Sequence, residues 1–202
     1  DHLDIATLRR LQARTRPVMV VPLGTDATVR KGVRDARITC GDWHDRVTLA
    51  PGVSVSLTPA YHWSSRGIRD RRNALWCGFW IETPSARIWF AGDTGYGDGG
   101  IFRDIRDRHG CPDIALIPIG AYEPRWFMSP VHINPAEAVK IHQDIQARQS
   151  LAMHWGTFVL TDEPMDAPPK ALAKALSEQH IEHVHFQVPQ HGETLTIELT
   201  HE

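Results

Sequence analysis

The strongest constraint on this chain is an aspartate that directly follows a run of apolar and aromatic residues. The run Arg87–Ala91 predicts a buried strand, and Gly92, Asp93 and Gly95 follow it in a polar turn. A carboxylate at the end of a buried strand, within a tight turn, keeps both oxygens free for other partners. Asp93 is therefore placed to bridge two metal ions.

Other candidate ligands also lie at the ends of predicted elements. Asp1 and His2 precede a predicted helix, His62 follows the strand Val53–Thr58 and its turn, and His154 follows the strand Ser150–Met153. Alone, each of these residues is more often explained by a turn or by packing than by metal binding. Together with Asp93, however, they form a set of histidines and carboxylates suited to zinc, with a position left for water. Strand ends at one edge of a sheet converge, so the sequence predicts a hydrolytic zinc site.

Length and composition restrict the class of protein. A chain of 202 residues suits one domain with a hydrophobic core, and a net charge of −2 gives no support for nucleic-acid binding. Three cysteines without a paired motif favour a reducing compartment over a disulfide framework. No apolar run reaches the roughly 20 residues that span a bilayer. We therefore expect a cytoplasmic protein, with peripheral membrane association left open.

The pattern along the chain predicts strands first and then strands alternating with helices, which is typical of an α/β layered sandwich. A capping-box pattern at Asn134, Pro135 and Glu137 predicts a helix that extends to about Ala147. The other predicted helices are 5–14, 101–108 and 168–179, and the predicted strands are 18–21, 37–40, 46–49, 53–58, 76–82, 87–91, 114–117, 150–153, 184–188 and 194–199.

His132 differs from the remaining histidines because it lies in a loop just before a predicted helix start. Loop residues near the positive end of a helix are suited to contact an anionic substrate, so we place His132 in the active site. His180, His183 and His185 resemble a metal-binding tract, but only the last two share a strand face. A solvated sheet edge is the better interpretation of that tract.

These residues resemble a known family. The block Pro118–Met128, His132, the run Pro135–Val139 and the run Met153–Phe158 resemble the N-acyl-phosphatidylethanolamine-hydrolysing phospholipase D family of the metallo-β-lactamase superfamily. Thr58, Pro59, His62, Trp63, Arg66 and Gly92–Tyr96 fit as well. The resemblance covers about residues 53–170 and implies a metallo-β-lactamase-type αββα sandwich that comprises residues 1–202 and lacks its N-terminal strands.

The resemblance also implies a ligand set. The family motif His-x-His-x-Asp-His would end in Asp1 and His2, so one zinc ion would be held by Asp1, His2, Asp93 and His154. A second zinc ion would be held by His62, the bridging Asp93 and two upstream histidines that this sequence lacks. We therefore expect a fragment of a longer protein or an incomplete site with one ion.

The implied activity is that of a zinc-dependent phosphodiesterase acting on N-acyl-phosphatidylethanolamine-like lipids. Asp1 and His132 are the expected catalytic residues, and His132, Tyr122 and Arg66 are the expected substrate contacts. The same ligands would also serve a lactonase or another ester hydrolase. A third alternative is a degenerate metal-binding module without activity, which an upstream His-x-His would exclude. We expect a phospholipid-like partner and no nucleic acid, and oligomerisation is left open.

Overall fold

A computed structural model of the chain describes residues 2–198. The helices are α1 (Ile5–Thr15), α2 (Thr25–Gly32), α3 (Gly100–His109), α4 (Arg125–Met128), α5 (Pro135–Ile145) and α6 (Ala167–Glu178). The strands are β1 (Val18–Pro22), β2 (Arg37–Gly41), β3 (Arg46–Ala50), β4 (Val53–Thr58), β5 (Gly78–Glu82), β6 (Arg87–Phe90), β7 (Ile114–Pro118), β8 (Gln149–Met153) and β9 (Phe186–Gln187). None of the helices in this described range is long and apolar enough to cross a membrane.

The strands form two sheets of unequal size. A seven-stranded sheet has the order β3-β4-β5-β6-β7-β8-β9 and is antiparallel from β3 to β6 and parallel from β6 to β9. The second sheet contains β1 and β2, which pair in parallel because α2 provides the crossover. This arrangement confirms the predicted α/β class, although β1 and β2 do not belong to an antiparallel run.

Two hydrophobic cores hold these layers together. The larger lies between the mixed sheet and helices α3, α5 and α6, where Trp80 and Trp89 face each other across β5 and β6 and are fully buried. Trp89 also contacts the ring of Phe102 on α3 edge-on. The smaller core contains Val29 and other aliphatic side chains from the two-stranded sheet and from α2. The helices that pack against each sheet are therefore ones that adjoin its strands in sequence.

The predicted capping box at the start of α5 is confirmed. The side chain of Asn134 accepts a hydrogen bond from the Glu137 amide at 2.9 Å, and the Glu137 carboxylate accepts one from the Asn134 amide at 2.9 Å. Two otherwise unpaired helix donors are thereby satisfied within four residues. Because these contacts are local, α5 could be located from the sequence alone.

Replacing Asn134 by Ala should therefore destabilise the fold by about 1 kcal/mol, the usual cost of losing an N-cap acceptor. The midpoint of urea unfolding, with its slope unchanged, measures this loss. Gln143→Ala on the exposed side of α5 is the control, since it removes no cap and leaves the helix propensity high. Equal stabilities of the two variants would contradict a stabilising role for the box.

Two strand predictions near the C-terminus are wrong in extent. The structure has only Phe186–Gln187 in strand form where 184–188 was predicted, and residues 194–198 form no strand. Leu199 lies outside the described residues. The alternating pattern of Thr194–Glu198 is compatible with a strand, but a strand requires a neighbouring edge for its hydrogen bonds.

That residues 1–202 form one domain stays a prediction.

The topology brings four element ends to one edge of the large sheet. Strands β6, β7 and β8 are parallel neighbours, so their carboxyl ends lie together. Strand β4 runs in the same direction as β6, because β5 is antiparallel to both. The residues that follow these four strands therefore share the edge at which the sequence predicts a metal site.

Candidate metal centre

Asp93 is held at this edge by a turn that only glycine accommodates easily. Gly92 has a φ of 68°, in the left-handed region that favours glycine, and this turns the chain sharply after β6. An isolated bridge between Tyr61 and Gly95 then ties the turn to the segment after β4. The Gly95 amide donates to the Tyr61 carbonyl at 2.8 Å. His62 is thereby brought beside Asp93.

His154 follows β8 in an unusual backbone conformation. Its φ is 60°, which is strained for a residue with a side chain. The neighbouring segment lies very close, because a Cβ atom on Gly120 would be 2.3 Å from the His154 carbonyl oxygen. Glycine at position 120 therefore permits the close packing of the two strand ends. Strained residues of this kind are frequent at functional sites.

Five side chains converge at the sheet edge in two overlapping groups. One group contains His2, Asp93 and His154, and the other contains His62, Asp93 and His132. Within each group, one ligand atom from every residue lies within 4.8 Å of the others. Asp93 belongs to both groups, as the sequence predicts for a bridging carboxylate. The role of these residues as ligands stays a prediction.

The distances show how Asp93 is shared. Its Oδ2 lies 2.9 Å from Nε2 of His2 and 3.8 Å from Nε2 of His62, and its Oδ1 lies 3.5 Å from Nε2 of His154. The ring centroids of His62 and His132 are 5.2 Å apart, and those of His132 and His154 are 5.8 Å apart. The carboxylate is thus surrounded by imidazoles on several sides.

Burial sets the charge state of the inner histidines. It disfavours the charged imidazolium, so it lowers the pKa of His62 and lowers the pKa of His132 to about 4. Nδ1 of His62 lies 3.2 Å from the carbonyl oxygen of Val131, an acceptor, so this nitrogen carries the proton. The Nε2 lone pair therefore faces Asp93 and is free for coordination, with the ring oriented by the backbone.

The outer pair, His2 and Asp93, is joined at a distance of 2.9 Å between Nε2 and Oδ2. The hydrogen bond to Asp93 raises the pKa of His2. Burial opposes the negative charge of Asp93, but the hydrogen bond from His2 and the neighbouring histidines outweigh it and lower the pKa of Asp93 well below its usual range. A proton shared between His2 and Asp93 would compete with a metal ion for the same two side chains, so metal binding would release it.

The donor set fits a divalent transition metal. Imidazole nitrogens and a carboxylate are suitable zinc ligands, and both groups contain them. Within residues 2–198, Nδ1 of His154 is buried and has no hydrogen-bond partner. The nitrogen of His154 that faces Asp93 is Nε2, so Nε2 is the candidate ligand atom of this ring.

His132 is positioned by contacts that the sequence did not reveal. The Arg125 guanidinium donates to the His132 carbonyl at 2.9 Å and to the Tyr122 carbonyl at 3.2 Å. It also forms an ion pair with Glu137 at 2.7 Å. The capping box of α5 and the loop of His132 are therefore braced by one arginine. The sequence offers one signal for this role of Arg125, which is its position within the Pro118–Met128 block.

The remaining predicted site residues are less directly placed. Tyr122 is buried, and within residues 2–198 it forms no hydrogen bond with the histidine cluster. Arg66 donates to the Leu3 carbonyl at 2.9 Å and so anchors the chain beside His2. Asp1 lies outside the described residues. Substrate contact by Tyr122 and Arg66, and metal binding by Asp1, stay predictions.

A pocket of about 220 Å³ opens beside the cluster. Its lining includes His2, His154, Trp155, Phe158, Leu160 and Met165. The rim continues into Phe158, Val159 and Leu160, each at least 65% exposed. Three consecutive exposed apolar side chains next to an apolar pocket are unusual for a protein surface and indicate an apolar ligand or surface.

Comparison with known proteins confirms the resemblance. The model of the β-lactamase superfamily domain family matches residues 1–155. The chain is 37% identical over 177 residues to the mitochondrial N-acyl-phosphatidylethanolamine-hydrolysing phospholipase D of Saccharomyces cerevisiae, covering 85% of this chain and 37% of that protein. It is 34% identical over 184 residues to phospholipase D 1 of the same type from Caenorhabditis elegans, covering 87% and 51%. The chain thus spans about half or less of these relatives.

Solved structures with the same fold include hydrolases. Igni18, a metallo-hydrolase from Ignicoccus hospitalis, superposes with a TM-score of 0.71 at 21% identity. The match covers 98% of this chain and 76% of the Igni18 chain. An isothiocyanate hydrolase from Delia radicum gut bacteria superposes with a TM-score of 0.65 at 18% identity, covering 92% and 69%. At these identities the likeness concerns the fold alone.

Proposed function

Because this chain belongs to the β-lactamase superfamily, whose members similar to it include metal-dependent hydrolases, we propose that the complete protein is a zinc-dependent phosphodiesterase of the phospholipase D type. The proposed substrates are N-acyl-phosphatidylethanolamine-like lipids, because the names of the yeast and nematode relatives state this lipid as their substrate. The observation that carries the proposal is the pair of three-residue groups that share Asp93 beside an apolar pocket.

The residues present fit a metal centre of the proposed kind. His2, Asp93 and His154 would hold one ion, with Asp1 as the fourth ligand, and His62 and Asp93 would contribute to a second. When bound, such an ion lowers the pKa of its water to about 7 and withdraws electrons from a phosphoryl oxygen. Zinc suits a mixed set of imidazoles and carboxylates better than magnesium or calcium, which prefer oxygen ligands alone.

The side chains around the centre would orient the substrate. His132 is neutral at physiological pH because burial lowers its pKa to about 4, so its ring has one donor and one acceptor nitrogen. It is therefore suited to hydrogen-bond a phosphoryl oxygen, or to accept a proton from water, without carrying a charge. Arg66 and Tyr122 are proposed as further contacts to the phosphate group.

The lipid part of the substrate is supported by the apolar surface around the site. The pocket next to His154 continues into the exposed run Phe158–Leu160, and Ile68 is fully exposed in the arginine-rich loop 64–73. Arginines suit lipid phosphates, and exposed apolar side chains suit the acyl layer. We propose peripheral contact with a phospholipid surface. A cytoplasmic location stays a prediction.

The decisive test compares three substrates with the complete protein and added zinc. We expect the highest initial rate on an N-acyl-phosphatidylethanolamine, a lower rate on a simple phosphodiester and the lowest on an acyl-homoserine lactone. The phospholipid offers both a phosphoryl group for the metal centre and acyl chains for the apolar pocket, whereas the other two substrates each lack one of these features.

Metal dependence provides the control for this comparison. A chelator should abolish turnover, and zinc should restore it. Lactone hydrolysis without phosphodiester cleavage would favour the ester-hydrolase alternative. Loss of all three activities in a zinc-loaded, folded protein would instead favour a metal-binding module without activity.

A further inference from the structure

Two strand ends at the metal centre adopt strained backbone conformations and pack against each other. Ala121, after β7, has a φ of 63°, and His154, after β8, has a φ of 60°. The Ile119 amide donates to the Met153 carbonyl at 3.0 Å, which continues the pairing of the two strands. A left-handed conformation is unfavourable for residues other than glycine, so neighbouring contacts must maintain it.

Glu163 supplies such contacts from a distant part of the chain. Its carboxylate accepts hydrogen bonds from three successive amides: those of Ala121 at 2.7 Å, Tyr122 at 3.2 Å and Glu123 at 3.0 Å. The Asp162 amide also donates to the Glu123 carbonyl at 3.3 Å. One carboxylate therefore fixes the whole segment that follows β7. Bonds between amides and an ionised carboxylate are stronger than bonds between neutral groups.

The environment of Glu163 keeps it ionised. Burial raises the pKa of a carboxyl group, but the amide of Glu123 and the side chain of Thr161 stabilise the charged form and lower the pKa of Glu163 below its usual value. The carboxylate is thus available as an acceptor at neutral pH, and no lysine or arginine is among the causes of this shift. The amides of the 121–123 segment are its main partners.

This clamp also forms part of the pocket next to the metal centre. Gly120, Ala121 and Glu163 line one side of the pocket, and His154 lines it as well. Gly120 packs directly against the His154 backbone, where a Cβ atom would be 2.3 Å from the carbonyl oxygen. Movement of the 120–123 segment would therefore change the shape of the pocket.

We propose that Glu163 is a positioning residue, whose carboxylate holds residues 120–123 against His154 and so sets the shape of the apolar pocket. Glu163 does not itself contact the reacting atoms. The pocket is suited to an alkyl chain of the substrate, and this part of the inference rests on the proposed function. The clamp itself does not, because it can be measured without any substrate.

The first experiment measures the clamp directly by hydrogen exchange of backbone amides in the complete protein. Glu163→Gln retains the size of the side chain but offers a single acceptor oxygen, whereas Glu163→Asp keeps the charge on a shorter stem. In Glu163→Gln we expect the amides of Ala121, Tyr122 and Glu123 to exchange about tenfold faster or more, the effect of losing a charge-assisted bond. Glu163→Asp should restore part of the protection.

Two controls separate this effect from general destabilisation. Glu178→Gln, at an exposed acid on α6, should leave exchange in the 121–123 segment unchanged. Amides within α5 should keep their protection in all three variants. Unchanged exchange at residues 121–123 in both Glu163 variants would overturn the proposal, as would an equal increase throughout the chain in Glu163→Asp.

The second experiment tests the pocket with phospholipid substrates that differ only in acyl length. Glu163→Gln should raise KM about tenfold for long chains, because the apolar contacts are disturbed, with kcat nearly unchanged since the metal ligands remain. Short-chain substrates should be affected much less. A uniform fall in kcat at every length would overturn the link to the pocket. If the wild-type protein cleaves no phospholipid, the proposed function fails, and hydrogen exchange still decides the role of Glu163.

Discussion

Replacing Asp93 by Ala is expected to remove the bound metal and to lower turnover of the complete protein by on the order of a thousandfold or more, because metal ions supply several kcal/mol of charge stabilisation. The Asp93 carboxylate belongs to both three-residue groups, so its removal weakens both sites. His62 belongs to one group only. His62→Ala should therefore retain metal at His2, Asp93 and His154 and lose less activity than Asp93→Ala.

Metal content and turnover measured on the same samples distinguish these effects. Asp104→Ala is the matched control, since Asp104 is an exposed carboxylate paired with Arg108 on α3. Its variant should resemble the wild type in both measurements. Equal loss of metal in Asp93→Ala and His62→Ala would contradict a bridging role, because a shared carboxylate must affect more metal than a ligand of one ion.

The position of Asp93 could be predicted because its determinants are local. A run of apolar residues, a glycine and an acidic residue are consecutive in the sequence, and they specify a strand followed by a sharp turn. The start of α5 was predictable for the same reason, since the Asn134 cap and its partner Glu137 are three positions apart. Signals of this length need no knowledge of the tertiary fold.

The elements that were missed depend on tertiary contacts. Helix α2 has a single buried apolar residue, Val29, so its conformation depends on packing against β1 and β2. Conversely, residues 194–198 have a strand pattern but form no strand. A strand is stable only where a neighbouring edge accepts its hydrogen bonds, and no alternation of side chains reveals that edge.

In the candidate site, too, some residues are predictable from local sequence and others depend on tertiary contacts. The convergence of Asp93 and His154 followed from their places after predicted strands, and His132 was identified from its position before α5 and the family resemblance. Glu163 had no comparable signal. Glu163 lies in an irregular segment. The three amides that donate hydrogen bonds to its carboxylate are 40 to 42 residues away in sequence. Only the folded chain brings them together.

His132 provides the sharpest test of how the site is divided between metal and substrate. The geometry alone allows either role, since His132 lies in one three-residue group with His62 and Asp93. The sequence, however, places it in a loop at a helix start, which suits a substrate contact. We therefore expect His132→Ala to keep its metal and to lower turnover by about 100- to 10,000-fold, the range for loss of a general acid or base.

The physical reason for this expectation is the neutral state of His132 in a buried position. Burial lowers its pKa to about 4, so at neutral pH its ring has one donor and one acceptor nitrogen for a substrate or water, and substitution removes both. His183→Ala, at an exposed histidine outside the cluster, is the control and should leave both properties unchanged. Metal loss in His132→Ala as large as in His62→Ala would identify His132 as a ligand. Unchanged metal content with unchanged phosphodiester kinetics would remove His132 from both roles.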